Sequence, residues 1–112
     1  MRDNDCIFCK IIGGEIPSAK VYEDEKMFVF KDIAPKAKVH LLAVPKEHFP
    51  YLADLNGERK QILSHIFEKI PAIAKENGCK DGFRTVINQG ADAGQTVFHL
   101  HVHILGGENL HW

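Results

Sequence analysis

Phe98-His99-Leu100-His101-Val102-His103-Ile104-Leu105, a stretch close to the C-terminus, alternates histidine with apolar side chains. That is the period-2 pattern of a half-buried β-strand. Phe98, Leu100, Val102 and Ile104 are expected to face a core, and His99, His101 and His103 to share the opposite face. Histidine is not a favoured strand residue, and a merely solvated face is better served by Thr, Lys or Glu. Three in a row predict that chemistry happens on that face.

The segment running into this stretch, Asn88-Gln89-Gly90-Ala91-Asp92-Ala93-Gly94-Gln95-Thr96, is small and glycine-rich. Gly90 and Gly94 let backbone N–H groups turn towards an anion, and the Thr96 hydroxyl adds a donor. Such a loop alone is usually just a turn. Here it leads straight into the histidines.

Further out, the pattern predicts strands at Lys20–Glu23 and Met27–Lys31, joined by an acidic turn at Asp24-Glu25. A third strand is expected over 39–44, stopped by Pro45, and the last two over 84–87 and 97–105. Ile62, Leu63, Ile66, Phe67, Ile70, Ile73 and Ala74 recur at helical spacing after an N-cap at Asn56, with Glu58 in the first turn. Pro71 is expected to kink this helix, Asn77-Gly78 to stop it, and His65 to be a surface residue. A short helical turn over 10–12 ends at Gly13-Gly14. The expected fold is α+β, a five-stranded antiparallel sheet with one long helix packed on it.

The chain has 112 residues, 45% hydrophobic and 26% charged, which suits one compact domain over 1–112. A formal charge of -1 argues against a nucleic-acid-binding surface. No apolar run reaches membrane-spanning length, and the N-terminus lacks a signal-peptide core, so a cytoplasmic location is expected. In a reducing compartment Cys6-Ile7-Phe8-Cys9 reads as a metal or redox pair rather than part of a disulfide framework.

Three histidines on one extended strand cannot comfortably share one ion. At about 3.3 Å per residue, His99 and His103 lie roughly 13 Å apart, against Zn–N bonds of about 2.0–2.1 Å. The row must divide its labour. A neutral imidazole attacks phosphorus, and neighbouring rings can hold its tautomer or donate to a phosphate. His101 is the member flanked on both sides.

The stretch 98–105 resembles the signature of the histidine triad family. Cys6 to Ile11 followed by Glu15-Ile16-Pro17, Phe30-Lys31-Asp32-Ile33, His40, Val44-Pro45-Lys46 and the loop Gly90 to Thr96 look like its landmarks. The ending from Gly106-Gly107 to His111-Trp112 resembles the family's Hint branch. The resemblance implies a purine nucleoside phosphoramidase or related nucleotide hydrolase, a homodimer working through a covalent nucleotidyl-histidine. It implies His101 as nucleophile, His103, Thr96 and the Gly94, Gln95, Thr96, Val97 backbone at the α-phosphate, and Gln95 and Asn88 beside the leaving group. Asp32 falls on the ribose acceptor, His40 on the supporting histidine, and Ile7, Phe8, Ile11, Phe30 and Ile33 on the base slot. Thr96 stands where serine is common, which adds a methyl group to the leaving-group side. Many bacterial-type members resemble an arrangement of Cys6, Cys9, His48 and His99 around a structural zinc, which separates the metal at His99 from the chemistry at His101. Hint-branch relatives often lack the cysteines and keep the first histidine, here His99, among the catalytic residues of the active-site network. No organic cofactor is implied. The rivals are a nucleotide-binding sensor with little turnover, a dinucleoside polyphosphate hydrolase, and a hydrolase using zinc directly.

Overall fold

The structure, a computed structural model, describes residues 3–112. The elements run α1 (Ile7–Ile12), β1 (Lys20–Glu23), β2 (Met27–Lys31), β3 (Val39–Pro45), a 3-10 turn at Leu52–Asp54, α2 (Gly57–Glu76), β4 (Phe83–Val86), a second 3-10 turn at Ala91–Ala93, and β5 (Val102–Gly106). The five strands form one antiparallel sheet in the order β1-β2-β3-β5-β4.

Both faces of the central strands are covered. On one face Ile62, Ile66, Ile70 and Ile73 of α2 pack on Met27, Val29, Leu41, Ala43, Val102 and Ile104. On the other, Phe8 and Ile11 of α1 cluster with Phe28, Phe30, Leu42 and Val44. The alternation within β2 and β3 therefore feeds two cores, which explains four consecutive buried residues in β2. Register then sets a row across the second face: Phe30 opposes Leu42, Leu42 opposes His103, and His103 opposes Val86. Directly opposed residues share a face, so His103 lies on the side covered by α1.

The helix begins where expected. Asn56 caps it by accepting from Arg59 N–H at 2.9 Å, and Gly78 follows its end at φ +110°. α2 continues through Pro71, which is exposed, as is Phe67 one turn earlier. The carbonyl deprived of its donor by Pro71 is that of Phe67, on this outward side where water can replace the lost bond. Phe67, placed by periodicity on the apolar face, is 38% exposed. The buried stripe is the narrower set Ile62, Ile66, Ile70, Ile73 and Ala74.

Four other boundaries move. α1 starts at Ile7 instead of 10 because Cys6 Sγ caps it, accepting from Cys9 N–H at 3.4 Å. β3 takes in Pro45, and β4 begins one residue early. β5 begins at Val102, not 97. The ladder with β3 stops at the Ala43–Val102 pair because Pro45 has no N–H to continue it. Residues 97–99 bend away, so Phe98 stands 52% exposed instead of facing the core.

His65 is more than a surface residue. Its Nε2 lies 2.6 Å from Asp24 Oδ2, tying α2 to the β1–β2 turn. Asp24 also accepts from Tyr22 Oη at 2.8 Å and from the N–H groups of Lys26 and Met27 at 2.8 and 3.0 Å. Burial pushes its carboxyl up, but His65 and the other three donors outweigh that and hold it well below the usual carboxylate range. A depressed folded-state value contributes stability that is present above the unfolded value of about 3.9 and is lost as pH falls through the folded value. Asp24→Ala is therefore expected to cost about 2 kcal/mol at pH 7. In denaturant titrations at several pH values, the gap from wild type should close below about pH 4. A gap independent of pH would show that the carboxylate charge is irrelevant.

Candidate active site and metal centre

A cleft of about 640 Å³ opens on the α1 side of the sheet. Ile7, Phe8 and Ile11 of α1 line it together with Phe30, Asp32, Ile33, His40, Asn88, Gly94, Gln95, Thr96, Val97, His101 and His103. Every residue expected at the nucleotide site thus borders one cavity. His99 and His48 do not border it.

Heavy-atom geometry assigns the ring protons. His101 Nδ1 lies 2.7 Å from the His99 carbonyl, which can only accept, so Nδ1 carries the proton and Nε2 keeps its lone pair. His40 Nδ1 accepts from Lys36 N–H at 3.0 Å, which puts its proton on Nε2. That Nε2–H lies 2.9 Å from His103 Nδ1 and 3.4 Å from Asp32 Oδ2. His103 Nδ1 then accepts, and its own proton sits on Nε2. Of the three rings bordering the cleft, His101 and His103 are complementary, a lone pair on His101 Nε2 and a donor on His103 Nε2.

Burial disfavours charge on all of these rings. It holds His101 below the ordinary histidine value, although the His99 carbonyl and Asp32 pull the other way. It pushes His103 down to about 4, helped by His101 and His40. His40 is lowered chiefly by burial, against the pull of Asp32. All three are neutral at pH 7. Phe8 packs edge-on against the His101 ring at 5.1 Å between centroids and 87°.

The glycine-rich loop differs from its expected form. Gly90 and Gly94 adopt φ of +84° and +78°, backbone that L-residues avoid. The Gly94 and Gln95 N–H groups turn inward, bonding Ala91 O at 3.0 Å and Gly90 O at 3.1 Å. Among the described residues this leaves the Thr96 and Val97 N–H groups as the unpaired donors of the 94–97 segment. The Gln95 amide is also engaged inside the loop. Its Oε1 accepts from Gly90 N–H at 2.9 Å, and its Nε2 donates to Pro50 O and Val97 O at 3.0 and 3.2 Å. Gln95 staples the loop, and its amide has no free hydrogen left for a leaving group. Ile33 is 99% exposed, so it edges the cleft mouth and forms no buried wall for a base. Asp32 Oδ1 accepts from Ala34 N–H at 2.8 Å, and each carboxylate oxygen keeps capacity for another donor.

His99 turns away to a second site. One donor atom each from Cys6, Cys9, His48 and His99 lies within 4.8 Å of the others. His99 Nε2 donates to Pro45 O at 2.8 Å, so Nδ1 presents a lone pair to the cluster. It lies 3.4 Å from Cys6 Sγ, 3.6 Å from Cys9 Sγ and 3.2 Å from His48 Nδ1. His48 Nδ1 is 3.5 Å from Cys9 Sγ, while its Nε2 faces Asp3 Oδ2 at 3.7 Å. A tetrahedron with Zn–S near 2.3 Å and Zn–N near 2.05 Å has S···N edges of about 3.6 Å and an N···N edge of about 3.3 Å. The observed separations fit those edges. Two ring lone pairs facing each other at 3.2 Å repel unless a cation or proton lies between them. Burial pushes the Cys6 thiol up, so its thiolate form needs such a cation. His99 is oriented from behind by Pro45 O, the arrangement that tunes metal ligands, while Asp3 Oδ2 stands behind His48 beyond hydrogen-bond distance. Pro45 O, Asp3 and the Lys36 N–H carry no sequence signal for these roles, since two are backbone atoms and Asp3 sits in a polar leader.

The fold is thus an antiparallel α+β unit with complementary imidazoles in one cleft and a Cys2His2 cluster beside it. A family model described as scavenger mRNA decapping enzyme C-term binding matches residues 5–110. Protein HitA of Neisseria gonorrhoeae is 52% identical, covering 92% of this chain and 96% of that protein. A 14 kDa zinc-binding protein of Zea mays is 44% identical, covering 100% of this chain and 89% of that one. The solved HIT family hydrolase of Clostridium thermocellum superposes with a TM-score of 0.93 at 44% identity, covering 97% and 96% of the two chains. The chain belongs to the histidine triad (HIT) family.

Proposed function

We propose that this chain is a purine nucleoside phosphoramidase acting through a covalent nucleotidyl-His101 intermediate. The observation that carries the reading is the His101 Nδ1–His99 O bond, which leaves Nε2 as the free nucleophilic nitrogen at the cleft. Nε2 attacks the α-phosphorus and forms an N–P bond as the bond to the leaving amine breaks. Water then cleaves the adduct, returning His101 and a nucleoside monophosphate. The His103 Nε2–H and the Thr96 and Val97 N–H groups face the phosphate oxygens, where donors aimed at developing charge contribute most. The Asn88 side chain lies on the leaving-group side. Ile7, Phe8, Ile11 and Phe30 sandwich the base, with Ile33 at the mouth.

Cys6, Cys9, His48 and His99 hold one zinc, a closed site that supplies structure and no open coordination position. The functional unit is one histidine triad domain over 1–112, cytoplasmic, and a homodimer. The dimer reading draws on β4, the last strand of the sheet order, where Phe83 is 40% exposed. Among the described residues no helix is long and apolar enough to cross a membrane.

Incubation with adenosine 5′-phosphoramidate tests the activity directly. Release of AMP is expected; tight binding without release would leave a sensor, and faster cleavage of dinucleoside polyphosphates would move the chain to that other activity. The role of Asp32 is tested with the 2′-deoxy substrate. A ribose acceptor left short of a partner costs on the order of 1–3 kcal/mol, or roughly 5- to 150-fold in kcat/KM. Equal values for the two sugars would remove Asp32 from the ribose.

A further inference from the structure

Residues 97–101 carry His99 and His101, yet they lie outside the sheet, since the β3–β5 ladder starts at Ala43–Val102. No row of ladder bonds fixes the backbone just before the nucleophile. Beside the His99 ring's bond to Pro45 O and the Gln95 bond to Val97 O, what holds it is the peptide unit between His99 and Leu100. Its carbonyl accepts from His101 Nδ1 at 2.7 Å, and its N–H donates to Phe49 O at 2.8 Å. The residues beside the two ends of this clamp, His48 before Phe49 and His99 itself, are both members of the thiol–imidazole cluster. A second contact runs from the same cluster. Phe8, packed edge-on against the His101 ring, is flanked in sequence by Cys6 and Cys9.

We propose that the Cys6–Cys9–His48–His99 cluster, when it holds its metal, is the positioning device for His101, setting that ring's tautomer and aim through the 99–100 peptide and through Phe8. Cross-linking His48 to His99 fixes the peptide plane from both sides, and cross-linking Cys6 to Cys9 fixes the helical turn that carries Phe8. Loss of the metal leaves this peptide held only by the Leu100–Phe49 and His99–Pro45 bonds, so the His99 carbonyl aims less tightly at Nδ1 and Nε2 no longer carries the lone pair in every molecule. Substrate affinity falls less than the rate, because Asp32, Phe30 and the loop stay in place and only the α1 side of the base slot is loosened. The proposal rests on His101 being the nucleophile and replaces a purely structural role for the metal with a coupled one.

The test compares zinc-loaded wild type with Cys9→Ser, studied well below the melting temperature of each. Three readouts are needed: imidazole ¹⁵N shifts of His101, the single-turnover rate of nucleotidyl adduct formation, and AMP affinity. In Cys9→Ser the ¹⁵N shifts should move from a single tautomer towards a mixture, and the adduct rate should fall about 10- to 100-fold. AMP affinity should fall by a clearly smaller factor than the adduct rate. Cys9→His, which restores a fourth ligand, should recover both the shifts and the rate. Should Cys9→Ser not fold, cadmium-loaded wild type takes its place, since longer Cd–S bonds displace the same ligands and should move the same readouts. Unchanged shifts and an unchanged rate overturn the positioning role. Shifts that respond to zinc in a protein that forms no adduct even when loaded would instead refute the nucleophile assignment and leave the coupling intact.

Discussion

Replacing His101 with alanine is expected to slow AMP release from adenosine 5′-phosphoramidate by about 10,000-fold or more, with AMP binding retained. His101 borders the cleft with Nε2 as its free nitrogen, and burial keeps the ring neutral at pH 7. No other cleft group offers an unprotonated imidazole nitrogen there, since His103 Nδ1 is taken by His40. The residue is 8% exposed and borders the cleft, so truncation leaves a space that free imidazole can enter. Added imidazole should therefore restore part of the lost rate. Rapid-quench mass spectrometry of wild type should find the nucleotidyl group on His101 and on no other residue. Wild-type turnover by His101→Ala would end the covalent reading.

Removal of one thiol is expected to produce the largest loss of stability. The purified protein should carry about one zinc per chain, and Cys6→Ser should lose it. α1 has six residues, too few to persist as an isolated helix in water. It is held by Phe8 and Ile11 in the second core and by its two cysteines at the cluster. Metal-binding free energy in such sites is folding free energy. A loss on the order of 3 kcal/mol is expected, which lowers Tm by about 10–20 °C in a chain of this size. Calorimetry with and without a chelator measures it. Zinc uptake by the apo protein should also release protons, because both thiols must give theirs up. A metal-free preparation with the full wild-type Tm would return Cys6 and Cys9 to the role of two small buried side chains.

The hairpin, the long helix and its Asn56 cap were legible because each rests on local pattern. β1 and β2 fall on the expected residues, since turn chemistry at Asp24-Glu25 and apolar runs on either side need no distant partner. Composition and periodicity alone also marked the histidine row as chemical and its members as unequal. Their actual division needed the third dimension. Pro45, 54 positions from His99, supplies the carbonyl that turns the ring's other nitrogen to the cysteines, and the same proline ends the ladder that was to run from 97. Phe98 and Phe67 read as core by period, and neither is, because periodicity does not know where a strand bends or how wide a helix contact is. Gln95 read as a substrate contact, yet its amide is used within its own loop, a choice made by the left-handed glycines at 90 and 94. His65 read as surface, because a partner 41 residues away in another element leaves no local trace. The order of the elements and the histidine row as the place to look for chemistry follow from side-chain type and short-range spacing, whereas Asp32, His40 and the base slot were implied only by the family resemblance. Which nitrogen of each ring is free had to wait for three dimensions, because a tautomer is set by the group across from it: the carbonyls of Pro45 and His99 for His99 and His101, the Lys36 N–H for His40, and His40 itself for His103.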